Sequence, residues 1–117
     1  MTVIYDKVVV IGMGLIGASI ALAVRRGGLA TTIIGSDQSP EVAATVARLQ
    51  LVDSFEADAA HAVADADLVI MAVPVGAVGK IAEQIVPHMK SGAVLTDTGS
   101  TKRSVVRDVG PHLRDDI

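Results

Sequence analysis

Apolar and polar positions fall into blocks along this chain, and the period of each block predicts an element. Val8-Val9-Val10-Ile11 is an unbroken β-branched run, the pattern of a strand covered on both faces. It breaks into Gly12-Met13-Gly14-Leu15-Ile16-Gly17. From Ala18 to Arg26 the chain then keeps Ile20, Ala23 and Val24 at helical spacing, until Gly27-Gly28 stops it. A second strand is expected over Thr31 to Gly35. Ser36 to Glu41 then turns the chain into a helix, with Ser39 as N-cap, Pro40 at the first helical position, and Val42, Val46 and Leu49 on its buried face. Leu51 to Asp67 is the least regular stretch. It suggests a short third strand near Val52 to Phe55 and a short alanine-rich helix around Ala59 to Ala64. Leu68 to Val73 is a fourth strand, ended by Pro74. Val78, Ile81, Ile85 and Met89 mark one stripe of the next helix, which Pro87 kinks or ends early. Ala93 to Thr96 is a fifth strand. The turn Asp97-Thr98-Gly99-Ser100-Thr101-Lys102 then opens a last helix that runs to about Val109 and is stopped by Gly110-Pro111.

Strands alternating with helices at this spacing predict an α/β fold, a doubly wound parallel sheet of the Rossmann type with right-handed crossovers. The expected strand order is 3-2-1-4-5, left incomplete after strand five. The length of 117 residues is that of one domain. Tyr5 and Phe55 are the only aromatic residues, so the core must be aliphatic and no platform for stacking bases exists. A formal net charge of −3 and the lack of a long basic run argue against nucleic acid. The absence of cysteine excludes disulfides and thiolate metal sites. Val8 to Val24 is apolar, but its glycines carry a loop pattern and Arg25-Arg26 follow at once. That reads as a soluble cytoplasmic protein, with the two arginines complementing a helix C-terminus.

The glycine turn carries the candidate chemistry. Gly12 allows the tight turn off the strand, Gly14 lets backbone approach a pyrophosphate, and Gly17 lets helix and strand pack closely. The phosphates would rest on free amides at the positive end of the helix, which makes Met13, Leu15 and Ile16 contacts as well. Asp37, 20 residues past Gly17, stands at the end of the second strand. There a carboxylate accepts bonds from ribose hydroxyls and repels a 2′-phosphate, and Gln38 and Ser39 add no positive charge. NAD is therefore expected over NADP. Ligands of such sheets bind outside the strand C-termini where the order reverses, which brings in Val73, Pro74 and Thr98 as cofactor contacts. Ser100 and Lys102 sit where a substrate hydroxyl or carboxylate would be held, although Ser100 or Thr101 can equally serve as a helix cap. Asp53, Glu56, Asp58, His61, Asp65 and Asp67 lack repeating ligand intervals. They read as solvated surface and caps, so no metal is expected. His61, His88 and His112 lie in surface positions, and none makes a convincing general base.

With the glycine turn, Asp37, the Asp67-Leu68-Val69-Ile70-Met71-Ala72-Val73-Pro74 segment and the Asp97-x-x-Ser-x-Lys turn in place, the chain resembles the prephenate and arogenate dehydrogenases of tyrosine biosynthesis. The resemblance implies an oxidative decarboxylation of prephenate to 4-hydroxyphenylpyruvate, with NAD taking the hydride and Ser100 matching a family serine near the reacting hydroxyl. It also implies a catalytic histidine in a His-Pro segment after the next strand. Beyond that it implies a helical domain that supplies a substrate-binding arginine and homodimer contacts. The sequence stops at Ile117 before any such segment, and Pro111-His112 has the wrong order and place. The expectation is thus a cofactor half, residues 1–117, that binds NAD without turnover. Two alternatives stay open. One is a pyrroline-5-carboxylate or imine reductase, a group that more often carries a cue for NADP after the second strand. The other is an NAD-binding module with no chemistry of its own.

Overall fold

The computed structural model describes residues 5–50 and 52–97. The β-branched run forms the second half of β1 (Tyr5–Ile11), and its place in the sheet explains its composition. Val8 and Val10 point to one face and Val9 and Ile11 to the other, all at 4% exposure or less, because successive side chains of a strand alternate and this strand is covered on both sides. On one face lie α1 (Leu15–Gly27) and α2 (Pro40–Leu49), which contribute Ala21, Val24 and Val46 to a cluster with Val8, Val10, Ile33 and Ile70. On the other lie the single turn α3 (Ala59–Ala62) and α4 (Val75–Ile85). There Ala62, Val78, Ala82 and Ile85 pack on Val9, Ile11, Val69 and Met71. Each fully buried aliphatic side chain of this kind contributes roughly 1.5–3 kcal/mol.

β1 pairs in parallel with β2 (Ala30–Ser36) and β4 (Leu68–Met71). The outer strands are β3 (Ser54–Phe55) and β5 (Val94–Asp97), giving the order β3-β2-β1-β4-β5. The doubly wound sheet expected from the sequence is therefore present. Its register matters most for function. Ile11 pairs with both Ser36 and Met71, and Met71 with Asp97, so these strands end on one row and their loops leave from one edge.

Several boundaries differ from expectation, each for a local reason. α1 starts at Leu15 rather than Ala18, because Gly14 is its N-cap and the Ala18 amide already donates to the Gly14 carbonyl at 2.9 Å. β4 stops at Met71 rather than Val73. The Ala72 amide makes one last bond to the Ile11 carbonyl, and β1 then turns away at Gly12, so Val73 lies beyond the ladder. α3 is shorter than the Ala59 to Ala64 stretch, since Asp65 takes a left-handed φ of 63°. Pro87 ends α4 as expected: a 3₁₀ turn, Val86–His88, follows Ile85, and Met89 is buried just past it. Ser39 caps α2 by accepting from the Val42 amide, with Pro40 at the first position. No helix among the described residues is long and apolar enough to cross a membrane.

The acids between residues 53 and 67 do more than face solvent. Asp58 caps α3 by accepting from the Ala60 amide, as expected. Asp53 is exposed as expected, and its carboxylate also accepts from the Ile33 amide at 2.7 Å and meets Arg25 at 3.4 Å, tying the entry of β3 to β2. Asp67 is a correction. It accepts from the Asp6 and Lys7 amides at 2.9 and 3.0 Å and from the Lys90 ammonium, holding the N-terminal ends of β1 and β4 together. No group of acids and histidines among the described residues is arranged to hold a metal.

Candidate functional site

The loop between β1 and α1 follows directly from its three glycines. Gly12 has φ +90°, a left-handed conformation, and a Cβ there would sit 2.4 Å from the Ala72 carbonyl oxygen. Its amide donates to the Ser36 carbonyl at 2.7 Å, closing the β1–β2 ladder before the chain turns. A Cβ at Gly17 would lie 1.8 Å from the Gly12 carbonyl oxygen, so the first turn of α1 packs on its own loop with no room for a methyl group. Gly14 is the opposite case: a Cβ there would meet nothing within 4 Å. Its φ of −70° suits any residue, so neither fold nor backbone conformation requires glycine at this position. Bare backbone opening on space, at the N-terminus of a helix with no side-chain cap and no acid in its first turn, is the arrangement that receives an anion.

Asp37 is fixed relative to this loop. One carboxylate oxygen accepts from the Met13 amide and the other from the Ser39 amide, both at 2.9 Å. The second bond is the local turn that starts α2, so Asp37 also caps that turn. A carboxylate has about four acceptor positions, however, and each oxygen keeps capacity for a further donor. Met13 supports this arrangement from below: it is buried, and Gly35 leaves room for its thioether, since a Cβ there would stand 3.2 Å from the sulfur.

Beyond the loop the strand ends enclose a cleft of about 490 Å³. Ile11, Gly12, Gly14, Ser36 and Asp37 line one side, and Ala72, Val73 and Pro74 continue the wall from β4. The structure thus brings together Gly12, Gly14, Asp37, Val73 and Pro74 from the expected set. Leu15 opens α1, Gly17 is buried under the loop, and Ile16 stands 59% exposed at the helix start. Thr98, Ser100 and Lys102 lie outside the described residues, as does the last helix.

Other lining residues were not visible as site residues in the sequence. Ala57 and Ala59 come from the entry to α3, and Ala77, Lys80, Ile81 and Gln84 from one stripe of α4. The last four follow i, i+3, i+4, i+7, which the apolar pattern alone assigned to core contact through Ile81. Ser36 is the only polar side chain among the described residues that is fully buried, at 1% exposure. It lines the cleft and makes no side-chain hydrogen bond among the described residues. A buried hydroxyl is ordinarily satisfied, so this one has bonding capacity to offer whatever enters.

The comparisons with known proteins agree with this geometry. Residues 20–117 match the family model described as prephenate dehydrogenase, nucleotide-binding domain. The chain is 35% identical over 114 residues to a cyclohexadienyl dehydrogenase of Zymomonas mobilis, covering 97% of this chain and 39% of that protein. It superposes with a TM-score of 0.85 and 28% identity on the prephenate dehydrogenase of Aquifex aeolicus, which was solved in complex with hydroxyphenyl propionate and NAD+. That match covers 95% of this chain and 39% of the other. Synechocystis arogenate dehydrogenase gives 0.82 and 28%, over 91% of this chain and 37% of the other. The chain spans 28 to 39% of the length of the curated relatives it matches. With a parallel sheet in the order β3-β2-β1-β4-β5, an open glycine loop over its central strand, and a family match over residues 20–117, this chain belongs to the prephenate dehydrogenase nucleotide-binding domain family.

Proposed function

We propose that residues 1–117 are the NAD-binding domain of an enzyme that oxidatively decarboxylates prephenate to 4-hydroxyphenylpyruvate. The observation that carries this reading is the paired geometry of Gly14 and Asp37. One is open backbone at a helix N-terminus, and the other is a carboxylate locked to the adjacent loop amide at 2.9 Å. The diphosphate of NAD fits against the first-turn amides of Leu15, Ile16 and Gly17, with Gly14 admitting its oxygens. Asp37 accepts the ribose hydroxyls on the free side of its carboxylate, and Val73 and Pro74 give the cleft an apolar wall. Bound NAD supplies a hydride acceptor. The remaining tasks fall to side chains: Ser100 contacts the substrate hydroxyl, Thr98 the cofactor and Lys102 a substrate carboxylate, by their match to the family turn. By the same resemblance, removal of the hydroxyl proton falls to the histidine of the family's His-Pro segment, and NAD binding without turnover is the expectation for residues 1–117.

For the whole protein we propose a cytoplasmic homodimer acting on a small molecule, prephenate or arogenate, with neither nucleic acid nor membrane as partner. The mild negative charge and the family membership support this. Calorimetric titration with NAD and NADP tests the cofactor half. NAD should bind more tightly, and Asp37→Ala should weaken it roughly tenfold to a hundredfold, the equivalent of about 1.5–3 kcal/mol for hydrogen bonds to a charged acceptor. NADH formation from prephenate by the full-length protein tests the activity. Turnover by residues 1–117 alone would refute the assignment of the base to another segment.

A further inference from the structure

Asp37 has a counterpart of opposite sign on the same cleft. Among the described residues lining it, Asp37 and Lys80 are the only charged ones. They come from different elements: Asp37 follows the end of β2, and Lys80 lies in the second turn of α4, between Ala77 and Gln84 on the stripe that lines the cleft. Their bonding differs. The Asp37 carboxylate is held by the Met13 and Ser39 amides. Lys80 is exposed, and its ammonium makes no ion pair or hydrogen bond among the described residues. A lysine is a compact charge on a long flexible stem, so from a helix wall it can reach a phosphate without a fixed geometry.

This placement changes the electrostatics of cofactor choice. Judged from Asp37, Gln38 and Ser39 alone, the ribose end of the cleft offers a 2′-phosphate only repulsion. Lys80, 43 residues further along the chain, adds a positive charge to the lining of the same cleft. We infer that Lys80 is a selectivity residue whose ammonium donates to a phosphate on the adenosine 2′ oxygen, so that the chain binds NADP as well as NAD, with NAD ahead only through repulsion by Asp37. The inference rests on the dinucleotide reading above. Both interactions act through solvent, so each is modest and weakens with added salt.

Calorimetric titration of residues 1–117 with NAD and with NADP, for wild type and Lys80→Gln, tests this directly and leaves Asp37 and its loop contacts intact. Lys80→Gln should weaken NADP at least about threefold at low ionic strength, change NAD by less than about 1.5-fold, and lose its effect at high salt. Asp37→Asn should raise NADP affinity about tenfold, and adding Lys80→Gln should remove most of that gain. Equal weakening of NAD and NADP would assign Lys80 to a phosphate common to both and overturn the inference, as would no weakening of either. Failure of wild type to bind NAD at all would instead defeat the dinucleotide reading, an outcome separate from any effect of Lys80.

Discussion

At the scale of single residues, the three loop glycines share a letter but answer to different constraints. Gly12 and Gly17 are held by the fold: the added methyl group would stand 2.4 Å and 1.8 Å from backbone carbonyl oxygens, and these atoms cannot swing aside as a side chain can. Gly17→Ala should therefore destabilise the domain by about 3 kcal/mol or more, read as a drop in the urea midpoint, with ligand binding lost as a consequence of unfolding. An unchanged midpoint would mean that the loop relaxes in a way this packing excludes. Glycine at these positions was legible in the sequence from spacing alone, because a turn off a buried strand into a helix needs it. The two bonds that orient Asp37 were less legible. That an acid ends β2 can be read from the chain, but that its oxygens meet the Met13 and Ser39 amides depends on how the loop folds back over Gly35.

At the scale of elements, the sequence pattern is clearest where one period runs long enough to cover a buried face. Val8 to Ile11 of β1, Val42 and Val46 of α2, and Val78, Ile81, Ile85 and Met89 match it, and all of these are at least half-buried. It is weakest over the acidic stretch, where polar letters look alike whether they face solvent or clamp a strand end. Asp67 shows the difference. The Lys90 ammonium, then the Lys7 and Asp6 amides, hold its carboxyl below the ordinary 3.8, and Asp67 in turn holds Lys90 above the ordinary 10.5. A carboxyl with a lowered folded pKa adds stability at pH values above its unfolded pKa, and that part is lost as pH falls through the folded value. Lys90 behaves in mirror image, contributing fully below its unfolded pKa and losing that contribution as pH rises through the raised one. Urea midpoints measured from pH 2.5 to 7 should therefore fall more steeply below about pH 4 in wild type than in Asp67→Asn. Parallel curves would show that the clamp contributes nothing to acid stability.

The α4 stripe teaches a related lesson. Ala77, Lys80 and Gln84 belong to the cleft only because α4 packs over β1 and β4 beside α3, a fact of packing that no local window contains.

For the molecule as a whole, the sheet order was the most legible feature. Alternating strands and helices with right-handed crossovers leave few ways to arrange five parallel strands, and the reversal at β1 and β4 then places the site. The two-faced core follows from the same arrangement. Met71, at 1% exposure, is packed under α4 at the row where the strands end. Met71→Ala should cost about 2–5 kcal/mol in unfolding free energy and lower ligand affinity only in proportion to the folded fraction lost. The cleft walls from α3 and α4 were not legible, because Ala57, Ala59, Ala77, Lys80 and Gln84 belong to no motif and carry no periodic signal of a site.

The central claim is that a dinucleotide rests on the bare loop at Gly14, and one comparison tests it most directly: NAD titrated calorimetrically into wild type and Gly14→Val, with urea unfolding of both. An added Cβ at this position meets open space and an ordinary φ, so the variant should stay folded and lose no more than about 2 kcal/mol, the cost of a poor N-cap. The same side chain would occupy the path of the diphosphate, so NAD affinity should fall at least about a hundredfold. Equal NAD affinity in the two proteins, with both folded, would contradict the account.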